Sequence, residues 1–316
     1  MSNRILTVTL NPAIDQTVNL ATLTHGAVNI AQRATTNAGG KGVNVAACLA
    51  DWGVPVQATG ILGRDDIASF EALFHKKGIE NQFIVQDGSI RTNIKLVSQD
   101  DGETTDVNLP GTMVSYAVFE QLTKRLDTLV KPDTWVVLSG SLPPGIPGDA
   151  YAQLCTRLTQ QGARVILDSS GDALSAALSA QTLPFCIKPN RHEMEQWAGR
   201  TLKSHNDIIE EARALLNRGV EQIVVSLAEQ GALFIGEQGY WLASPPPVSP
   251  VSSVGAGDSL LAGWLAAQHQ QLDWQDSIRL AMAFAAGKLA QIGPHLPARA
   301  ELERLAQLVT VTRITD

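Results

Sequence analysis

The sequence predicts an α/β fold with helices covering both faces of a mainly parallel central sheet. Three observations carry that prediction. After Pro110 helical and strand-like stretches alternate repeatedly, as a parallel sheet with crossover helices requires. The 316 residues are 44% hydrophobic but only 5% aromatic, so aliphatic strands and small-residue helices must supply the core. Polar and glycine-rich clusters recur at the ends of the predicted strands, where open parallel sheets bind ligands.

Residues 5–10 are β-branched and alternating, a first strand that Asn11-Pro12 ends. Residues 16–35 are polar and Thr-rich without helical period, so extended chain or short strands are expected. Gly39-Gly40-Lys41-Gly42 opens a helix that Gly53 closes. Residues 56–63, "VQATGILG", form a second core strand. In the helix expected over 65–77, Ile67, Phe70, Leu73 and Phe74 share one face. Residues 83–107 alternate over short runs with turn signals at Asp87-Gly88 and Asp101-Gly102, which predicts an antiparallel meander. Together with 16–35 it forms a small sheet outside the main layers. Helices at 115–129, 149–161, 171–180 and 206–218 each precede a strand, and two apolar helices follow at 258–270 and 275–292. "SPPPVSP" is a stiff extended connector.

The net charge is −7 and Lys and Arg are scattered, which argues against nucleic acid or an anionic membrane surface as partner. Cys48, Cys155 and Cys186 are odd in number, far apart and set among apolar neighbours, so reduced core cysteines are expected. The six His form no metal-ligand spacing. The N-terminus enters a strand directly, without the apolar run of a signal peptide. No apolar run reaches the roughly 18–20 residues of a membrane span. A cytoplasmic location is expected.

The chemistry-bearing clusters each have two readings. Gly255-Ala256-Gly257-Asp258 opens an apolar helix. Small residues let a backbone approach a ligand, and the first amides of a helix lack internal partners and carry its positive end. A phosphate is stabilised there, and a carboxylate there stays ionised and can accept a proton. Asp is also a common N-cap, so Asp258 reads locally as cap or base. In "NAGGKGVNVA", Gly39, Gly40 and Gly42 allow a tight turn around a ligand and Lys41 adds charge. It is no Walker A loop, because Val43 stands where Ser or Thr would hold Mg²⁺. Arg91 and Lys95, four apart on a strand, either address one phosphate or face solvent. In "KPNRHE", Lys188, Asn190 and Glu193 either orient waters around Mg²⁺ or make a capping box. Ser226 faces a nucleotide or sits in a plain hairpin. In "SGSLPPG", Ser139 and Ser141 suit a polyol or a phosphate, and the turn is no hydrolase elbow.

In this order, "AGGKGVNVA", "SGSLPPG", "KPNRHE" and "VSSVGAGDSLLAG" resemble the PfkB (ribokinase-like) family of carbohydrate kinases over essentially the whole chain. "TLNPAID", "RTNIKL" and "KPNRHEMEQWAGR" resemble its phosphosugar branch. The resemblance implies one ribokinase-like domain over 1–316, a three-layer α/β/α fold whose small β-sheet lid is formed by about 13–36 and 83–109. It implies ATP-dependent, Mg²⁺-assisted phosphorylation of a ketohexose phosphate. Fructose 1-phosphate is the first choice, and tagatose 6-phosphate or fructose 6-phosphate the alternatives. A non-catalytic sugar-phosphate sensor is the distant one. Asp258 matches the catalytic base and the amides of Gly255, Ala256 and Gly257 its anion hole. Asp15, Gly39, Gly40, Lys41 and Asn44 match sugar-binding positions, and Arg91, Lys95 and Ser139 the handling of the substrate phosphate. Lys188, Asn190, Ser226, Gly231 and Gly257 match nucleotide-binding positions, and Glu193 the Mg²⁺ region, through water. A homodimer through the lid is implied as well. One departure stands out: Ala228 replaces the family's glycine before the nucleotide turn, a strained choice if that position needs positive φ.

Overall fold

The computed structural model describes residues 4–251, 254–291 and 293–315. Among the described residues, eleven strands form the central sheet. β1 (Ile5–Thr9) lies inside it, flanked in parallel by β4 (Val56–Gly63) and β9 (Trp135–Ser139). Beyond β9 follow β10 (Arg164–Asp168), β11 (Cys186–Ile187) and β12 (Gln222–Ser226), all parallel. β13 (Ala232–Gly236), β14 (Gly239–Ser244) and β15 (Thr310–Ile314) extend that side antiparallel. At the other side β5 (Glu80–Asn81) and β6 (Ile84–Gln86) pair in parallel with β4.

Strands buried on both faces need side chains for two cores, and the alternation supplies them. Trp135 and Val137 of β9 point into one core, Val136 and Leu138 into the other. The first core is closed by α1 (Lys41–Trp52), α2 (Ile67–Lys77), α8 (Ala256–His269), α9 (Trp274–Leu289) and α10 (Arg299–Leu308). The second is closed by α3 (Tyr116–Leu129), α4 (Ala150–Gln160), α5 (Gly171–Ser179), α6 (Arg191–Ala198) and α7 (His205–Asn217). Each fully buried Leu or Ile contributes about 1.5–3 kcal/mol, so the two clusters hold the layers together. Local signals set the ends. Ser115 caps α3, Ser204 and Asp207 make a capping box on α7, and Gly53 ends α1 in the left-handed region.

A separate four-stranded sheet runs in the order β3 (Arg33–Gly39), β2 (Ala13–Leu20), β7 (Arg91–Ser98), β8 (Thr104–Asn108). β2 and β7 are parallel, and the other two pairs are antiparallel. Two features differ from expectation. The meander does not begin at Phe83, because Ile84 and Val85 extend the β4 edge instead. The Asp87-Gly88 turn is tied to the β4–α2 loop by Arg64 N–H to Gln86 O (2.8 Å) and Asp65 N–H to Gly88 O (3.3 Å). Nor is the small sheet a pure meander, since β2 and β7 come from distant stretches. α10 and β15 were not anticipated: α10 buries only Leu302 and Leu305, and β15 is a half-exposed edge strand, so both carry faint patterns. α9 is described to Leu289; its expected end at Ile292, and Ser252 and Ser253 of the glycine-rich signature, lie outside the described residues.

Candidate active site

The carboxyl ends of β10, β11 and β12 bring Asp168, Lys188 and Ser226 toward the first turn of α8. α8 starts at Ala256 with Gly255 as its N-cap at φ 75°, a conformation only glycine adopts freely. Ser259 N–H makes the first helical bond, to Gly255 O (2.9 Å). The amides ahead of it, Gly255 to Gly257 among them, stay outside the ladder and are free to receive an anion. Asp258 is therefore the third residue of the helix and not its cap. Its carboxylate accepts a hydrogen bond from Asn44 Nδ2 of α1 (2.8 Å). Gly42 lets the start of α1 lie against β1 and β9, because a Cβ there would strike Thr9 and Ser139.

Next to Asp258 lies a buried charge cluster. Asp168, at the end of β10, is fully buried and ion-paired with Lys41 (2.9 Å) and Lys188 (3.3 Å). Burial alone would raise its pKa, but Lys188 and Lys41 hold it below the usual carboxylate value. Burial presses the pKa of Lys41 down, yet Asp168, then Asp258, raise it overall. For Asp258 the balance falls the other way. Burial, then the charge of Asp168, raises its pKa, against the opposing pull of Lys41, Asn44 and Lys188. Two carboxylates thus share one cluster with opposite shifts, one a fixed counter-ion and one suited to take up a proton.

Two cavities flank this cluster. One of about 200 Å³ lies between the small sheet and the α8 turn, lined by Asp15, Asn44, Lys95, Gly255 and Lys288 among others. Asp15 accepts from Asn93 Nδ2 (2.9 Å), and burial raises its pKa against the pull of Asn93, Lys95 and Arg91. A side chain at Gly39 would collide with that carboxylate, and one at Gly40 (φ 119°) with Thr9 and Pro12. Arg91 and Lys95 are half-buried and not plain solvent charges. Lys95 is paired with Asp106, while the Arg91 Nε is buried with no hydrogen-bond partner among the described residues. Ser139 is not brought to either cavity, because it is fully buried behind Gly42. Ser141 instead accepts from Asn11 Nδ2 (3.0 Å).

The second cavity, about 860 Å³, brings together Asn190, Ser226, Ala228, Gly231, Ala256 and Gly257, with Leu260, Met282 and Leu289 as an apolar wall. It combines an apolar slot with a helix start, which suits a base attached to phosphates. Asn190 and Glu193 make the full capping box of α6 (both bonds 2.8 Å). Glu193 is half-buried and still bears on the charge of Lys41. The Lys188 ammonium lies 3.3 Å from where a Gly257 Cβ would stand, so any side chain there would crowd it. Ala228 has φ 52° and Gly231 φ 98°, and a Cβ on Gly231 would overlap the Ala243 carbonyl.

Sequence reasoning placed Asp168 in a polar strand-end cluster without giving it a role, and missed Lys288. Each left a signal: an acid closing the apolar strand "RVILD", and a single lysine inside the apolar run "AMAFAAGKLA".

A model of the pfkB family of carbohydrate kinases matches residues 8–300. The chain is 46% identical over 292 residues to a 1-phosphofructokinase of Xanthomonas campestris pv. campestris, covering 92% of each chain. It is 41% identical over 303 residues to the 1-phosphofructokinase of Escherichia coli K12, covering 96% of each. Among solved structures it superposes on Escherichia coli phosphofructokinase-2, crystallised with substrates and products, at a TM-score of 0.90 and 28% identity, covering 96% of this chain and 98% of that one. Strand-end clusters converging on one helix start, and a family match over nearly the full length, lead to one conclusion: the chain belongs to the pfkB family of carbohydrate kinases.

Proposed function

We propose that the protein transfers the γ-phosphoryl group of ATP to the C6 hydroxyl of fructose 1-phosphate, giving fructose 1,6-bisphosphate and ADP. The observation that carries the reading is Asp258, a buried carboxylate with a raised pKa at a helix start, between a sugar-sized cavity and an apolar cleft. In this reading Asp15 and Asn44 bind sugar hydroxyls above the Gly39-Gly40 turn. Arg91 and Lys95 face the substrate phosphate. The nucleotide lies along Asn190, Ser226 and Gly231 with its phosphates toward Lys188 and the amides of Gly255, Ala256 and Gly257. Asp258 accepts the hydroxyl proton as that oxygen bonds the γ-phosphorus and the bond to the β-phosphate oxygen breaks. Positioning and charge carry most of such a reaction. A divalent ion held through water fits Glu193, half-buried beside the charged cluster; when bound, it would neutralise phosphate charge. Ser139 is assigned no contact, since it is fully buried.

The small sheet acts in this reading as a lid over the sugar cavity, excluding water that would otherwise accept the phosphoryl group. Its β2–β3 connection carries Val28 and Ile30, 94% and 84% exposed, and a homodimer through this sheet covers them. Three buried free cysteines accord with a reducing cytoplasm.

The test is ADP formation with fructose 1-phosphate, fructose 6-phosphate and tagatose 6-phosphate. Fructose 1-phosphate is expected to give the highest kcat/KM. A higher value for either alternative would reassign the substrate, and tight sugar-phosphate binding without ADP formation would make the protein a sensor. Asp258→Asn is expected to lower kcat at least ~10²-fold, the range of general-base losses.

A further inference from the structure

We infer that Lys288 is a positioning residue of the phosphoryl-transfer site, a built-in cation set against the Gly255 turn beside Asp258. The inference rests on Asp258 as base.

Lys288 lies in the last turn of α9 yet is only 4% exposed. A lysine is rarely buried so deeply without a partner, because removing an ammonium from water is costly. Its Nζ donates to the Gln291 carbonyl (3.2 Å). A neutral carbonyl offsets only part of that cost. The rest of its surroundings are those of the site itself. Its Cε stands 3.4 Å, and Asp258 Oδ2 3.9 Å, from where a Cβ on Gly255 would be. Lys288 also lines the smaller cavity together with Asp15, Asn44 and Gly255. Burial lowers its pKa, while Cys48 and Asp258 pull it upward.

The segment that Lys288 grips links three parts of the site. Beyond Gln291, Gly293 stands against Asn37 at the base of β3, and Leu296 N–H donates to Asp51 of α1 (2.9 Å). Lys288 therefore holds the segment reaching the small sheet through its ammonium, while its stem packs beside the Gly255 turn. A helix C-terminus also favours a cation, and that alone would be a plain cap. The two roles separate cleanly. A cap needs only a donor for the Gln291 carbonyl, whereas the positioning role needs the positive charge beside Asp258.

Lys288→Gln keeps a donor and removes the charge. The expected result is a folded protein with kcat lowered about 10-fold or more, and KM for ATP and the phosphosugar within about threefold. The acid limb of the kcat profile should move to higher pH, because Asp258 keeps its raising neighbour Asp168 and its remaining partners Lys41, Lys188 and Asn44 but loses one cation. Lys288→Arg should restore most of the rate. Lys288→Met, which replaces a buried charge with an apolar stem, gives the same readout should the Gln variant not fold. Wild-type kcat and an unmoved acid limb in either neutral variant would reduce Lys288 to a helix cap. Asp258→Asn assayed in parallel separates the failures. Turnover retained there refutes the base, whereas turnover lost there but kept in Lys288→Gln refutes only the present inference.

Discussion

At the scale of single residues, the two carboxylates of the cluster make opposite demands on stability. The pKa of Asp258 is raised on folding, so the folded protein prefers it protonated. Its ionisation costs stability as pH rises above the ordinary 3.8 through the raised value. Asp258→Asn should therefore be more stable than the parent in urea at pH 7, with the difference closing as pH falls toward 3.8, even as turnover collapses. Asp168 is shifted downward, so its stabilisation is complete above 3.8 and is lost as pH falls through its lower folded value. Asp168→Asn leaves Lys188 buried without its anion. We expect it to destabilise by about 3 kcal/mol at pH 7, the low end for a broken buried pair because Lys41 keeps 37% of its side chain exposed. Urea midpoints of the two variants at neutral and acid pH check both statements. The raised pKa of Asp258 also places the acid limb of kcat above 3.8. The sequence displayed Asp258 plainly. It showed Asp168 and Lys288 only as a strand-end acid and a lone lysine in an apolar run, because their meaning depends on charges brought in from other elements.

At the scale of elements, the helix starts and strand ends were readable because their signals are local. Gly53 stops α1, Asn190 and Glu193 start α6, and β4 spans the expected 56–63. The question over Ala228 is answered at this scale too. It adopts φ 52°, where an L side chain carries about 1–2 kcal/mol of strain. Ala228→Gly relieves that strain but frees the unfolded chain by roughly 0.4–1 kcal/mol. The expected net gain is about 0.5 kcal/mol, visible as a small rise in Tm, with KM for ATP equal to or below that of the parent. A fall in Tm would mean that the strain is not real. Pairings between distant segments were not readable. Nothing near residue 84 says that β6 will join β4, or near residue 13 that β2 will lie parallel to β7, because register is chosen by faces that meet only in the folded chain.

At the scale of the whole molecule, the two-layer helical cover followed from the alternation of patterns, while the placement of the small sheet did not. The exposed Val28 and Ile30 give the proposed lid dimer its test. Val28→Glu with Ile30→Glu puts like charges on each copy, and light scattering should show a monomer where the parent is a dimer. An unchanged mass would place the interface elsewhere. The parallel pairing of β2 with β7 has one more consequence. Asp15 meets Asn93 across 78 positions of sequence, so this wall of the smaller cavity cannot exist until nearly a third of the chain has left the ribosome. Until then a β2–β3 hairpin leaves the β2 edge open as well as that of β3, a template for pairing with a neighbouring nascent chain. Newly made protein is then most vulnerable to aggregation before β7 emerges, well before Asp258 has been translated.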